Sequence, residues 1–164
     1  MLENRFLYWM DKIYGLFIKI GSGFQSLLLL YMRLTWGHQF LLSGVYKLKN
    51  ISKTIGFFTE LGIPYPEFHT YLVAYFESIG GLLLMIGFAS RLFSIPLTII
   101  LIVALSTAHA EHLTHFKFLF DPQSLAGQSP YPYLLTTLMV FCFGPGRVSL
   151  DAWIKRWVGH QPKC

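Results

Sequence analysis

Long apolar blocks constrain this chain more than any other feature of its sequence. Four of them run over residues 24–46, 71–88, 92–110 and 131–143. A helix that crosses the roughly 30 Å hydrocarbon core of a bilayer needs about 20 mainly apolar residues. Charged residues make up only 13% of the chain, about half their usual share in soluble domains. The sequence therefore predicts an all-α integral membrane protein, a four-transmembrane-helix bundle whose fourth helix is short.

The N-terminal 23 residues differ from the blocks that follow them. Aromatic and aliphatic residues are mixed there with four charges between positions 5 and 20, too many for an easy crossing. This composition predicts an N-terminal interfacial amphipathic helix lying on the membrane surface; an amphipathic tail packed on the bundle is the alternative. We expect residues 1–23 to form this segment, residues 24–158 the membrane domain and residues 159–164 a C-terminal tail.

The basic residues predict the orientation of the chain. Outside the apolar blocks, eight lysines and arginines fall on the side of the two termini, and four fall on the opposite side, in residues 47–70 and 111–130. The positive-inside rule then places both termini in the cytoplasm. The net charge of +5 is dispersed, so we interpret it as topology signals and contacts with anionic lipid, and we expect no nucleic-acid partner.

Two opposite charges lie inside apolar blocks. Arg33 is in the first block and Glu77 in the second, and a charge at the centre of a span costs at least about 2.5 to 3.5 kcal/mol. The simplest prediction is that the two side chains pair inside the bundle, either as a ligand or proton site or only to fix the helix register. Four glycines on the same two helices would allow their backbones to pack closely: Gly37, Gly44, Gly80 and Gly81.

A histidine cluster ends the third block. His109 and His112 share a helical face in the run HAEHLTH, whereas His115 would join them only if the helix ended or bent. With Glu77 or Glu111 as a third ligand, the first two could hold a transition metal ion. The alternative is a proton-relay or quinone-binding role for His109, because imidazole titrates near neutral pH.

Residues 31–151 resemble the DoxX family of small bacterial membrane proteins through an ordered set of short motifs. These are Arg33, Gly37, Phe40, Gly44 and Lys47; Leu61-Gly62-Ile63-Pro64; Glu77 with Gly80-Gly81; Gly87 and Arg91; Ala104 and His109; and Gly144-Pro145-Gly146 before Ser149-Leu150-Asp151. The resemblance implies a four-helix bundle in the bacterial inner membrane and an association with redox biology. Relatives include a subunit of a thiosulfate:quinone oxidoreductase and a partner in a membrane oxidoreductase complex against oxidative stress.

These observations lead to one main hypothesis, a component of a quinone-linked oxidoreductase with a polar intramembrane pocket. In it Glu77 and His109 would exchange protons, and Arg33, Lys47 and Arg91 would bind substrate or an anion. The remaining candidates would be structural: the four glycines named above and Asp151. The sequence has no flavin, haem-attachment or dithiol motif, so a partner protein would have to supply electrons.

Two hypotheses of other classes compete with this one. The first is a non-catalytic membrane subunit or assembly factor, in which Arg33 and Glu77 only hold the bundle together and the long loops bind a partner. The second is a carrier of a metal ion or small solute that uses His109 and His112. A homo-oligomer is compatible with each of the three.

Overall fold

The computed structural model describes residues 2–108 and 130–159, with side chains from Trp9 onward. These residues form six helices and no strand. The helices are α1 (Leu2–Lys49), α2 (Ile51–Glu60), α3 (Pro66–Ile86), α4 (Ser90–Ala108), α5 (Pro130–Phe143) and α6 (Leu150–Gly159). The prediction of an all-α protein is confirmed for this part of the chain.

Three of the helices, α1, α3 and α4, are long and apolar enough to cross a membrane. They cover the first apolar block and most of the second and third, so the prediction of a multi-pass membrane protein is confirmed. Helix α5 contains the fourth block but has only 14 residues, about 21 Å at 1.5 Å per residue. Because a span needs more than that length, the four-helix bundle stays a prediction.

Helix α1 is continuous through the segment that we expected to be a separate interfacial helix. Its 48 residues include no proline, and the helix has no break near residue 23. The glycines at positions 15, 21 and 23 lie within this helix. They do not interrupt it, because a glycine costs a helix only about 1 kcal/mol and keeps its backbone N–H. The interfacial helix is therefore not confirmed.

Helices α1 and α3 pack antiparallel at very short range. A Cβ atom built on Gly37 would lie 2.7 Å from the Met85 side chain, and one built on Gly44 would lie 2.7 Å from the Ala74 carbonyl oxygen. Glycine at both positions lets the two backbones approach closely. Around this contact lies a core of buried side chains from α1, α3, α4 and α5: Phe40, Leu84, Leu97, Leu101 and Val140.

Two short helices were not predicted from the sequence. Helix α2 lies within the expected loop 47–70 and buries Thr54 and Phe58. Helix α6 follows the Gly144-Pro145-Gly146 turn, and the structure buries none of its residues. Both helices are amphipathic and have only 10 residues, so they form no long apolar block of the kind that identifies a membrane span.

Candidate functional site

Glu77 pairs with Lys47, and the predicted pair with Arg33 is wrong. The Lys47 ammonium on α1 forms an ion pair with Glu77 Oε2 on α3, whose residue is only 7% exposed. Ser43, one turn before Lys47, donates a hydrogen bond to the same oxygen at 2.9 Å. Lys47 also donates to Ser43 Oγ at 2.7 Å. These three residues, which we call the Lys47 triad, form one closed hydrogen-bonded group between two membrane helices.

Arg33 lies at a different level of the bundle. The close packing of α1 on α3 at their glycines brings Arg33 beside Gly87. Gly87 is ten residues after Glu77, a separation of about 15 Å along a helix axis. That separation is the physical reason why Arg33 and Glu77 do not meet. The single polar pocket that we expected around both residues is therefore not formed.

The Arg33 side chain is fully buried, at 0% exposure. Its Nη2 atom donates a 2.6 Å hydrogen bond to the carbonyl oxygen of Val148, just before α6. Gly87, with φ of 77°, packs directly on the guanidinium, and any side chain at that position would overlap it. Within the described part of the chain, the Nε and Nη1 atoms have no hydrogen-bond partner. Arg33 thus connects α1 to the C-terminal segment, by which we mean residues 144–159, and not to the Lys47 triad.

Asp151 joins the same C-terminal segment to the turn between α3 and α4. Its carboxylate accepts hydrogen bonds from the backbone N–H groups of Ala89, at 2.9 Å, and Ser90, at 3.3 Å. Its own backbone N–H donates to the carbonyl oxygen of Gly87 at 3.0 Å. A carboxylate at the first residues of α4 satisfies free N–H groups and complements the helix dipole. Arg33 and Asp151 thus both bind residues near the turn between α3 and α4 and the start of α6, without a direct ion pair between them.

A cavity of about 760 Å³ opens beside the Lys47 triad. All five helices from α1 to α5 contribute to its wall, and most of the wall is apolar. The few polar groups include the triad itself, His69 and Tyr133. The Tyr133 ring contacts those of Trp36 and Phe40, with centroid distances of 4.8 and 5.0 Å. This arrangement can hold a mainly apolar molecule that has a polar group at one end.

The other predicted site residues lie elsewhere. Gly80 and Gly81 lie at helix contacts, the first against Leu97 and the second against α1. Arg91 donates a 3.3 Å hydrogen bond to the carbonyl oxygen of Cys142 on α5, away from the cavity. His109 and His112 fall outside the described residues, and the residues that are described include no group of three or more potential metal ligands.

Three cavity residues were missed in the sequence. Ser43 could have been found, because it is four residues before Lys47 and therefore on the same helical face. His69 lies in the first turn of α3, and its Nδ1 atom is 2.8 Å from the carbonyl oxygen of Pro64. Neither His69 nor Tyr133 has a sequence signal of its own, since only the packing of separate helices brings them to one cavity.

The fold and the cavity together define a multi-pass helical membrane protein with a buried ion pair beside an apolar cavity. The chain belongs to the DoxX family, whose sequence model matches residues 28–110. The family prediction is confirmed. Among curated proteins, the chain is similar to one named "Putative oxidoreductase CatD" from Bacillus subtilis (strain 168). The two are 29% identical over 125 residues, which cover 76% of this chain and 85% of the relative. No solved structure matches the chain.

Proposed function

We propose that this protein is a membrane component of an oxidoreductase system and that it binds a quinone in the cavity beside the Lys47 triad. The observation that carries the proposal is the cavity itself, an apolar space with hydrogen-bonding groups gathered on one wall. Membership of the DoxX family and the oxidoreductase name of the relative support the redox association.

The chemistry of the cavity fits a quinone. Ligand cavities commonly measure about 300 to 1,000 Å³ and have mainly apolar walls with a few placed polar groups. Phe58 and Leu101 offer apolar contacts to a ring. The Lys47 ammonium has three N–H donors, of which Ser43 and Glu77 accept two, so the third can donate to a quinone carbonyl oxygen.

Each residue of the site then has a defined task. Lys47 binds and orients a ligand oxygen, while Glu77 and Ser43 hold the Lys47 side chain in place. A bound quinone would supply two-electron redox chemistry, and a partner protein would supply the electrons. Arg33 and Arg91 have no place in this site, because their hydrogen bonds go to Val148 and Cys142. The proposed proton exchange at His109 stays a prediction.

The first test measures quinone binding directly. Trp36 is the optical reporter, since its ring contacts Tyr133 at the cavity wall. The protein is prepared in phosphatidylcholine nanodiscs with Trp36 as its only tryptophan, the other three being replaced by phenylalanine. Titration with a benzoquinone that carries one isoprenoid unit is expected to give saturable quenching of Trp36 fluorescence.

The Lys47→Met, Glu77→Gln double variant is expected to bind this quinone about tenfold more weakly, because a charge-assisted hydrogen bond contributes about 1.5 to 3 kcal/mol. Both charges are removed together so that neither is left unpaired in the bilayer. Lys49→Met is the matched control, because Lys49 is exposed on the same helix and does not line the cavity. Quenching that does not saturate, or equal affinity in the double variant, would contradict the proposal.

A non-catalytic membrane subunit is the second candidate function, and the observation that favours it is that the Lys47 triad joins α1 to α3. Lys47→Met alone is expected to lower the free energy of unfolding by about 3 to 5 kcal/mol, since it leaves Glu77 buried without its partner. Adding Glu77→Gln should recover most of that loss. Both values come from denaturation in mild detergent. If the double variant recovers stability while the wild type binds no quinone, the subunit hypothesis is favoured.

We also propose a location and an orientation. An even number of crossings by α1, α3, α4 and α5 would put both termini on one side of the bacterial inner membrane. The excess of basic residues on that side argues for the cytoplasm. Residues 24–158 would then form one membrane domain surrounded by lipid, and a second copy of the chain or a partner protein could contact its surface. Cysteine labelling at each end with a membrane-impermeant reagent tests this orientation.

A further inference from the structure

We infer that the ligand enters the cavity sideways from the bilayer, between α2 and α4, and that it is a neutral amphiphile whose long apolar chain occupies that opening. This inference rests on the proposed function, because it specifies the class of molecule that the same site takes. It adds two properties that a quinone-sized cavity does not by itself require. The first is the direction of entry, and the second is the selection against a charged head group.

The direction of entry follows from side chains that line the cavity and are also exposed on the outer surface of the protein. Ile99 and Val103 line the cavity, yet they are 57% and 45% exposed on the outer surface of the protein. Phe57 of α2 also lines the cavity and is 49% exposed. A side chain that contacts both the cavity and the surroundings marks the rim of an opening. Since Ile99 and Val103 are one turn apart, the rim follows the length of α4.

The depth of this rim identifies what surrounds it. Ile99 is near the middle of α4, a 19-residue helix that is long and apolar enough to cross a membrane. This side of the cavity therefore faces the hydrocarbon of the bilayer, whereas the exposed lining residues Gly62, Pro64 and Ala108 lie at the ends of the helices. A water-soluble molecule would have to dissolve in the hydrocarbon before it could pass this rim. A membrane-dissolved molecule is already there.

The charge of the Lys47 triad identifies the head group. Lys47 and Glu77 compensate each other's charge, and Glu77 offers only acceptor oxygens to a ligand. A phosphate or carboxylate head would lie near the Glu77 carboxylate and would be repelled in this apolar environment. A neutral carbonyl or hydroxyl oxygen can accept the remaining N–H of Lys47 at no such cost. The site thus favours a neutral head on an apolar chain, and it disfavours a phospholipid.

The test measures how a substitution at the rim changes the binding of a short-chain and a long-chain quinone. The Trp36-only protein in phosphatidylcholine nanodiscs is titrated with benzoquinones that carry one and ten isoprenoid units, with concentrations expressed per lipid. Val103→Phe fills the rim, and we expect it to weaken binding of the long-chain quinone about tenfold. The short-chain quinone should be affected much less. Ile102→Phe is the matched control, because Ile102 is 50% exposed on the same helix but does not line the cavity.

A competition experiment tests the neutral head group. Octadecanol is expected to displace the bound short-chain quinone, whereas octadecyl phosphate, which has the same chain, should not. Equal displacement by the two would overturn the selection for a neutral head. Long-chain binding that Val103→Phe leaves unchanged would overturn lateral entry. In both cases the short-chain quinone still binds, so the proposed function survives; if no quinone of either length binds the wild type, the proposed function itself fails.

Discussion

Gly44→Ala is expected to lower the free energy of unfolding by about 3 kcal/mol or more, because the added methyl group would be forced into backbone atoms that cannot move away independently. The new Cβ would lie 2.7 Å from the Ala74 carbonyl oxygen and closer still to the backbone nitrogen of Ser78. This overlap can be relieved only if α1 and α3 move apart. Gly44 lies between Ser43 and Lys47 in the chain, so the separation would also pull these two residues away from Glu77.

The matched control for this substitution is on the same helix. A Cβ at Gly23 would meet no other atom within 4 Å. Gly23→Ala is therefore expected to leave stability unchanged or to raise it by up to about 1 kcal/mol through helix propensity. Thermal and denaturant unfolding of both variants in the same detergent, followed by circular dichroism, measures the difference. If Gly44→Ala unfolds at the same temperature and denaturant concentration as Gly23→Ala, the close α1–α3 contact does not hold these helices together.

Asp151→Asn is expected to have the second large effect, because Asp151 does two things at once. Its carboxylate oxygens accept hydrogen bonds from the N–H groups of Ala89 and Ser90 at the start of α4, and asparagine keeps only one of these acceptors, so the hydrogen bond that is lost costs about 1 kcal/mol. Its negative charge also acts on the fully buried Arg33, although the two side chains form no direct ion pair. At the effective dielectric constant of a protein, two charges somewhat farther apart than an ion pair interact by about 2 kcal/mol. We therefore expect a total loss of roughly 2 to 3 kcal/mol, measured by denaturation in detergent.

A double-mutant cycle separates the two tasks of Asp151. In an Arg33→Met background there is no buried cation to compensate, so Asp151→Asn should then cost only the lost hydrogen bond, about 1 kcal/mol. The asparagine side chain is close in shape to that of aspartate, which limits changes in packing. Equal costs in both backgrounds would mean that Asp151 does not act on Arg33 and that its importance lies in the α4 cap alone.

The helices of this protein could be predicted from its apolar blocks, but their register could not. The blocks identified α1, α3, α4 and α5 because lipid requires long apolar runs. The pairing of Arg33 with Glu77 was wrong because charge alone does not say which residues of two helices lie at the same level. Gly37 and Gly44 set that level through contacts with α3, and only the structure shows which α3 residues they meet.

The candidate site was only partly visible for a related reason. Lys47 and Glu77 could be picked out as charges at or inside apolar blocks, and family motifs included both. Tyr133 and His69 could not, since a tyrosine near a predicted membrane interface is normally an anchor in the head-group region and a lone histidine has many roles. Their position at the cavity depends on how α3 and α5 pack, which is a property of the whole bundle.

The unbroken course of α1 has a mechanical consequence. A helix of 48 residues is about 72 Å long, more than twice the thickness of the hydrocarbon core. Long helices without proline curve only gently. Ser43 and Lys47 are near one end of this rod, and its N-terminal half extends well beyond the residues that contact α3. A tilt imposed on that half, by lipid or by a protein, is therefore carried as a rigid-body movement to the side chains that hold Glu77.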